Sequence, residues 1–307
     1  MTKAVDVQTS VANYFELVGK WIAYAQVSKS SVKSYTKGIR RLAEFFADKG
    51  IKEPSRAVII SYREYLSEKY AAATANLYLT AAKLFFSFLQ VEGYLATNPA
   101  ERVKGLKIVA GHKKDALSAS MVKSILATFD TSTVKGKRDK AVFALMATAG
   151  LRTIEICRAN VGDIVERDGL HFLLVQGKGH TEKDAQVRIS DGVFHLIQQY
   201  LSMRNVKDDS PLFASLSNRN YGGRMSTNSI SRIVKSAMRR AGFDSKRLTA
   251  HSLRHTAATI ALKAGATLRE VQQVLRHTSI TVTTIYLHEL DRLNNRAECL
   301  TAAQFGL

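Results

Sequence analysis

Cysteine is scarce: the 307 residues contain two, Cys157 and Cys299. Two cysteines cannot build a disulfide framework or a cysteine zinc site, and Cys157 lies in an apolar helical pattern that reads as a small buried hydrophobe. No run approaches the roughly 18 consecutive apolar residues of a membrane-spanning helix. The first residues, MTKAVDVQTSVANYFELVGKW, lack the apolar stretch of a signal peptide, so a cytoplasmic protein with no membrane partner is expected. No GxxxxGKS/T loop occurs, so ATP is not expected. Acidic side chains are also few, 26 Asp and Glu against 45 Lys and Arg, a formal net charge of +19.

That imbalance sits on a chain that is 46% apolar, enough to bury real cores, so this is no disordered basic tail. A globular protein this basic points to a polyanion as partner. The charge is spread: residues 1–110 carry 16 basic and 9 acidic side chains, and residues 111–307 carry 29 and 17. At roughly 100–200 residues per domain, two domains are expected, both cationic and both suited to one long polyanion.

The sequence reads as mainly α with a small antiparallel sheet. Residues 1–104 form a four- or five-helix domain, 105–117 (GLKIVAGHKKDAL) a linker, and 118–307 an α+β domain. A helix over 30–49 buries Ile39, Leu42 and Phe46 and turns Lys33, Lys37, Arg40 and Arg41 outward, ending at Gly50. Helices over 55–69 and 72–91 follow, the latter with Leu77, Ala81, Leu84, Phe85 and Phe88 as its apolar side. In the second domain, helices over 118–129 and 136–149 precede strand signals at Val161–Glu166, Leu170–Val175 and Ala185–Ile189, the first two joined through Asp168-Gly169. Helices resume over 191–203 and 227–241. The latter buries Ile230, Ile233, Val234, Ala237 and Met238 and leaves Arg232, Lys235 and Arg239 outside. Two more helices and a final one complete the chain.

Four short stretches combine polar residues with apolar context. Thr148-Ala-Gly-Leu-Arg152 ends a helix at a glycine and starts the next with an arginine; its plain reading is a surface arginine paired with Glu155. Gln176-Gly-Lys178-Gly179 puts a lysine at a turn, otherwise a solvated turn lysine. His251-Ser-Leu-Arg254-His255 places His251 and Arg254 on one helix face. The i, i+4 histidines suggest a metal pair, but Arg254 between them argues against a cation, and no metal is expected. The fourth stretch runs from Leu275 to His288. Thr267 and Glu270 form a capping box for the helix before it, His277 falls at a helix junction, and Tyr286 lies about two turns on, where a lone tyrosine is otherwise core. Together these give two arginines, two histidines, a lysine and a tyrosine. Such a set suits metal-free phosphodiester chemistry: guanidinium forks and a histidine hold the nonbridging oxygens, an activated tyrosine attacks, and lysine protonates the leaving 5′ oxygen.

With these motifs in their order (GLR ending at Arg152, GKG around Lys178, HSLRH at 251–255, RHTSITVTTIY from Arg276 to Tyr286), the chain resembles the tyrosine recombinases, the phage-integrase family. It looks like the compact Xer-type or transposon-type members found on mobile elements. The amino-terminal helices resemble the family's SAM-like core-binding domain, with Asn98–Ala100 as its last segment. The resemblance implies a site-specific recombinase that needs no cofactor. Tyr286 would form a 3′-phosphotyrosyl link, Arg152 and Arg254 clamp the phosphate, Lys178 protonate the leaving oxygen, His251 act as acid/base near the tyrosine, and His277 donate to the phosphate. Glu155 would orient the arginine. It further implies double-stranded DNA as partner, two protomers per site, four in a synapse passing through a Holliday junction, and room for an accessory directionality factor. Arg276 departs from the family by replacing a glycine, as His180 does by replacing an asparagine; Arg276 would either contact phosphate or alter its turn. Residues 289–307, with Leu293, Leu300 and Phe305, would pack on a neighbouring protomer or on their own domain. A topoisomerase-like relaxing enzyme and a non-catalytic DNA-binding regulator stay open as alternatives.

Overall fold

The computed structural model describes residues 11–108, 115–177, 180–277, 279–280, 283–284, 286 and 295–306. Of the positions named above, Lys178, Gly179, Leu293 and the middle of the 105–117 segment lie outside these. The chain divides into two compact units, Met1–Gly111 and His112–Leu307.

The first unit holds four helices among its described residues: α1 (Val11–Tyr24), α2 (Lys29–Asp48), α3 (Arg56–Lys69) and α4 (Ala72–Val91). Ser28 and Ser55 start α2 and α3 by accepting the Ser31 and Val58 amides, the side-chain capping that orphan helix N–H groups need. Gly50, at φ 61°, lets the chain leave α2 in the left-handed region. The α2 stripe buries Ile39, Leu42, Phe45 and Phe46, and Lys33, Lys37 and Arg40 are exposed as their spacing predicts. Arg41 differs. It is half-buried and paired with Glu44, one turn on, because the wide aromatic stripe of α2 reaches its side of the helix.

On α4 the expected apolar side holds at Ala81, Phe85 and Phe88, which are buried, and fails at Leu77 and Leu84. Leu77 and Leu84 are each 37% exposed, whereas Tyr78, Leu79, Ala82, Phe85, Phe86 and Phe88 are buried. The helix is apolar nearly all round, so periodicity alone could not orient it. The close α2–α4 crossing does: a Cβ on Gly38 would lie 2.9 Å from Ala81 Cβ and 3.2 Å from Tyr78 Cα, and the Tyr62 hydroxyl donates to the Gly38 carbonyl at 3.3 Å. By length and a mean hydropathy of 1.2, α4 also passes as a membrane-crossing helix; its buried residues, Tyr78, Leu79, Ala81, Phe85 and Phe86 among them, pack in the core of the first unit.

The second unit is built around α6 (Val134–Ala149), capped by Thr133 and buried on every side from Ala141 to Ala147. Helices α5 (Ala119–Ala127), α8 (Asp191–Leu201), α9 (Thr227–Arg240) and α10 (Ala250–Lys263) surround it, which explains why its sequence has no polar face. Between α6 and α8 lie α7 (Thr153–Arg158) and an antiparallel sheet, β1 (Ile164–Arg167), β2 (Leu170–Val175) and β3 (Ala185–Ile189), in the order β1-β2-β3. Asp168 and Gly169, at φ 51° and 71°, make the tight β1–β2 turn. The sheet packs Leu173, Val175, Val187 and Ile189 onto the helices. The first strand is shorter than its sequence suggests. Val161–Asp163 is a 3₁₀ turn because the Asp163 carboxylate caps it, accepting the Asn160 amide at 2.6 Å. After α10 come α11 (Leu268–Leu275), opened by the Thr267–Glu270 capping box, and α12 (Ala297–Gln304).

The Gly38 crossing predicts that Gly38→Val lowers the unfolding free energy of the first unit by about 2 kcal/mol through overpacking. Urea titration followed by fluorescence of Trp21, the one tryptophan and fully buried in that unit, reads this directly.

Candidate active site

The site starts where α6 ends. Gly150, at φ 58°, turns the chain, and a Cβ there would meet Leu275 Cδ2 at 2.7 Å, so the turn sits tightly under the end of α11. Arg152 follows as the N-cap of α7. The third residue of that helix, Glu155, has a fully buried carboxylate. Its Oε2 accepts the Arg152 amide at 2.7 Å and its Oε1 accepts from Arg152 Nη1 at 3.0 Å. The same Oε2 accepts from Arg276 Nη2 at 2.7 Å. One buried carboxylate thus caps a helix and aims two guanidiniums.

Arg254 comes from α10 and is 2% exposed. Its Nη1 donates to the Gly150 carbonyl at 2.7 Å and its Nη2 to the Leu275 carbonyl. These are the carbonyls left over at the ends of α6 and α11, so the helix termini and the guanidinium satisfy one another. Burial, then the charges of Arg152 and Arg276, hold the Arg254 pKa well below the usual arginine value. Burial likewise lowers that of Arg276, opposed by Glu155.

His277 follows Arg276 directly. Its Nδ1 lies 2.9 Å from the hydroxyl of the buried Thr283. Burial first, then Arg254, Arg152, Arg276 and His251, push its pKa down to about 4, so the ring is neutral at pH 7 and carries one N–H donor. Tyr286 is 3% exposed and packs with Ala258, Val271 and Leu275. Its hydroxyl lies 2.9 Å from His255 Nδ1.

Arg152, Arg254, His277 and Tyr286 are therefore brought together, and the exposed His251 stands beside them with its ring edge-on to His255, centroids 4.9 Å apart. The histidine placed on the tyrosine hydroxyl is His255, which the spacing argument treated only as half of a rejected metal pair. The signal was present, since residues 251 and 255 share a helix face, but only the tertiary fold shows which of the two meets Tyr286. Arg276 was expected to contact phosphate or alter its turn. It adopts φ 54° and ψ 47° as the left-handed end of α11 and spends its guanidinium on Glu155 and the Val274 carbonyl.

Lys178 lies outside the described residues, but the residues on either side of it are held. Arg158, the last residue of α7, donates to the Gly177 carbonyl at 2.7 Å, and Gln176 Nε2 donates to the His180 and Thr181 carbonyls at 2.9 and 2.8 Å. The outer basic residues of α9 divide. Arg232 is exposed, whereas Asp244 pairs with both Lys235 (2.9 Å) and Arg239 (3.1 Å). Those two are committed to closing the end of their helix as well as presenting charge. The Cys157 thiol is pushed up to about 11 by burial, an inert packing group.

Three guanidiniums, a neutral imidazole and a tyrosine thus gather with one carboxylate among the described residues. This excess of positive charge, buried at Arg254 and Arg276, suits a phosphate. No cluster of three or more His, Cys, Asp and Glu side chains that could hold a metal occurs among the described residues.

A model of the phage integrase family matches residues 115–292, and one of the phage integrase N-terminal SAM-like domain matches residues 21–93. Tyrosine recombinase XerC of Thermodesulfovibrio yellowstonii is 32% identical, covering 80% of this chain and 82% of its own. Tyrosine recombinase XerA of Pyrococcus horikoshii is 30% identical over 92% of this chain and 88% of its own. Among solved structures, XerH site-specific recombinase bound to palindromic difH substrate superposes with a TM-score of 0.74 at 19% identity, covering 97% of this chain and 92% of that one. A lambda integrase (75–356) dimer bound to a COC′ core site gives 0.68 at 18% identity, covering 89% and 96%. These two likenesses establish the fold.

The carboxylate makes a sharp prediction. Glu155→Gln leaves two guanidiniums without their buried counter-charge and should cost about 3 kcal/mol in urea unfolding. A paired Glu155→Gln, Arg276→Gly change should recover part of it by removing one stranded cation.

Proposed function

The chain belongs to the phage integrase family and is a tyrosine-type site-specific DNA recombinase; from its site we propose which residues carry the strand cleavage and how. Arg152 and Arg254 take the nonbridging oxygens of the scissile phosphate, and His277 donates its single N–H to the same group. Tyr286 attacks phosphorus to form a 3′-phosphotyrosyl link. Lys178, in the segment between β2 and β3, protonates the departing 5′ oxygen, and the exposed His251, edge-on to His255, serves as acid/base near the tyrosine. Because the phosphodiester energy is kept in the covalent link, neither ATP nor a metal is needed to reseal. The single observation that carries this reading is the buried Arg254, fixed by the Gly150 and Leu275 carbonyls beside Arg152, His277 and Tyr286. Burying a guanidinium with no carboxylate of its own is costly unless an anion arrives.

The two cationic units fit a clamp on duplex DNA, the first acting as the core-binding domain. Lys33, Lys37 and Arg40 on the outer face of α2, with Arg41 beside them, and Arg232 on α9, with Lys235 and Arg239, are the phosphate contacts of the flanks. Two protomers would occupy each site and four the synapse, exchanging strands through a Holliday junction, with an accessory factor setting direction. The carboxy-terminal α12 buries none of its residues and leaves Leu300 and the adjoining Phe305 59% and 72% exposed, apolar surface that a neighbouring protomer would cover. We place the protein in the cytoplasm with the chromosome, acting on a mobile element's ends or on chromosomal sites. The matched relatives are named recombinases, which leaves the relaxing-enzyme and regulator readings without support.

Incubation with a nicked suicide substrate tests the chemistry. The wild-type protein should form a covalent adduct in EDTA without ATP, and Tyr286→Phe should bind the same DNA and form none. An adduct from Tyr286→Phe would overturn the nucleophile assignment. Affinity separates the other cations: Lys37→Gln and Arg232→Gln should each weaken binding and reduce the salt slope by about 1. Arg254→Lys should bind within a few-fold of wild type yet cleave about 100-fold more slowly or worse.

A further inference from the structure

We propose that His255 is a catalytic residue, taking the phenolic proton of Tyr286 as the tyrosine attacks. The proposal rests on the reading of Tyr286 as nucleophile and goes beyond it by assigning a group to the reacting oxygen.

The imidazole Nδ1 lies 2.9 Å from Tyr286 Oη, and the two rings are in contact, with centroids 5.5 Å apart and planes tilted by 54°. In the tautomer protonated at Nε2, Nδ1 accepts from the hydroxyl, so the proton already points at its destination. A free phenol has a pKa near 10, so attack at neutral pH needs a base within hydrogen-bond reach. Position is equally well defined. His255 follows Arg254 in α10, and Arg254 is locked to the Gly150 and Leu275 carbonyls. The segment carrying His255 is thus registered to the phosphate clamp, and the apolar packing of Tyr286 on Ala258, Val271 and Leu275 brings the hydroxyl to it. Among the described residues, its charged and titratable neighbours include Arg254 on the same helix, His251 edge-on at 4.9 Å, and Tyr286 itself. The Arg254 guanidinium interacts electrostatically with Tyr286 and stabilises its phenolate.

The step balances. As the bond from Tyr286 Oη to phosphorus forms, the phenolic proton passes to His255 Nδ1. The bond from phosphorus to the 5′ oxygen breaks with its electron pair on oxygen, which takes a proton from the general acid assigned to Lys178. Religation reverses this: the 5′ hydroxyl attacks, its proton returns to the lysine, and His255 hands its proton back to the departing phenolate.

Single-turnover cleavage of a suicide substrate tests it, with DNA affinity measured alongside to report folding. His255→Ala should bind DNA within about twofold of wild type and form adduct about 100-fold more slowly or worse. His255→Asn, which retains a side-chain acceptor for the hydroxyl but cannot take its proton, should stay at least about 30-fold slow. A substrate with sulfur in place of the bridging 5′ oxygen, whose leaving group needs no proton, should rescue Lys178→Ala and leave His255→Ala slow. Cleavage by His255→Ala within threefold of wild type, full activity in His255→Asn, or rescue of His255→Ala by the sulfur substrate would each overturn the proposal. Wild-type protein that forms no adduct, or Tyr286→Phe protein that does, would instead refute the nucleophile reading beneath it.

Discussion

The buried Glu155 carboxylate is the interaction on which the rest of the site depends. It caps α7 through the Arg152 amide, fixes the Arg152 side chain and accepts the guanidinium of Arg276. Among the described residues it also supplies the negative charge beside the buried Arg254 and Arg276 and the half-buried Arg152. Without it the cluster would repel itself, and with a second carboxylate the site would be neutralised before any ligand arrived. A single anion leaves a residual positive field, which adds to burial in lowering the His277 pKa. That is the electrostatic state in which a phosphate is both attracted and hydrogen-bonded without reorganisation of the donors.

The geometry follows from one short helix. Six residues of α7 would be marginal alone, but Ile156 and Cys157 are buried in the core of the second unit. Its first end carries Arg152 and Glu155, and its last residue, Arg158, holds the carbonyl of Gly177, the residue before Lys178. The clamp and Gly177 are thus registered to the same element. Arg254 adds a second registration by tying the end of α6 to the end of α11. Since His277 lies just past α11, its placement depends on that tie.

Arg276 shows how a left-handed turn accommodates a residue other than glycine. A glycine would reach the conformation at φ 54° without strain, and the arginine offsets the cost of the same backbone with a buried ion pair to Glu155. A turn residue is thereby part of the electrostatic frame. The basic helix faces show the opposite economy: Lys33, Lys37 and Arg232 keep their charge exposed, while Arg41, Lys235 and Arg239 share theirs with Glu44 or Asp244.

The order of elements and the three strands were legible from the chain. Helical stripes such as Ile39, Leu42 and Phe46, the Asp168-Gly169 turn and the Thr267–Glu270 cap are local, and local spacing reports them. The orientation of α4 was only partly legible, right at Ala81, Phe85 and Phe88 and wrong at Leu77 and Leu84, because a helix apolar nearly all round has little periodic contrast; the close approach at Gly38 sets its rotation. Arg152, Arg254, His277 and Tyr286 could be named from motif order alone. Which histidine meets the tyrosine, and what Arg276 does, could not: His251 and His255 share a helix face, and residues 276 and 155 are 121 positions apart. By itself the sequence determined the inventory of charges and the chemistry they suit. The tertiary structure decided their pairing, because a buried charge takes the partner that packing brings within hydrogen-bond distance, whatever its distance along the chain.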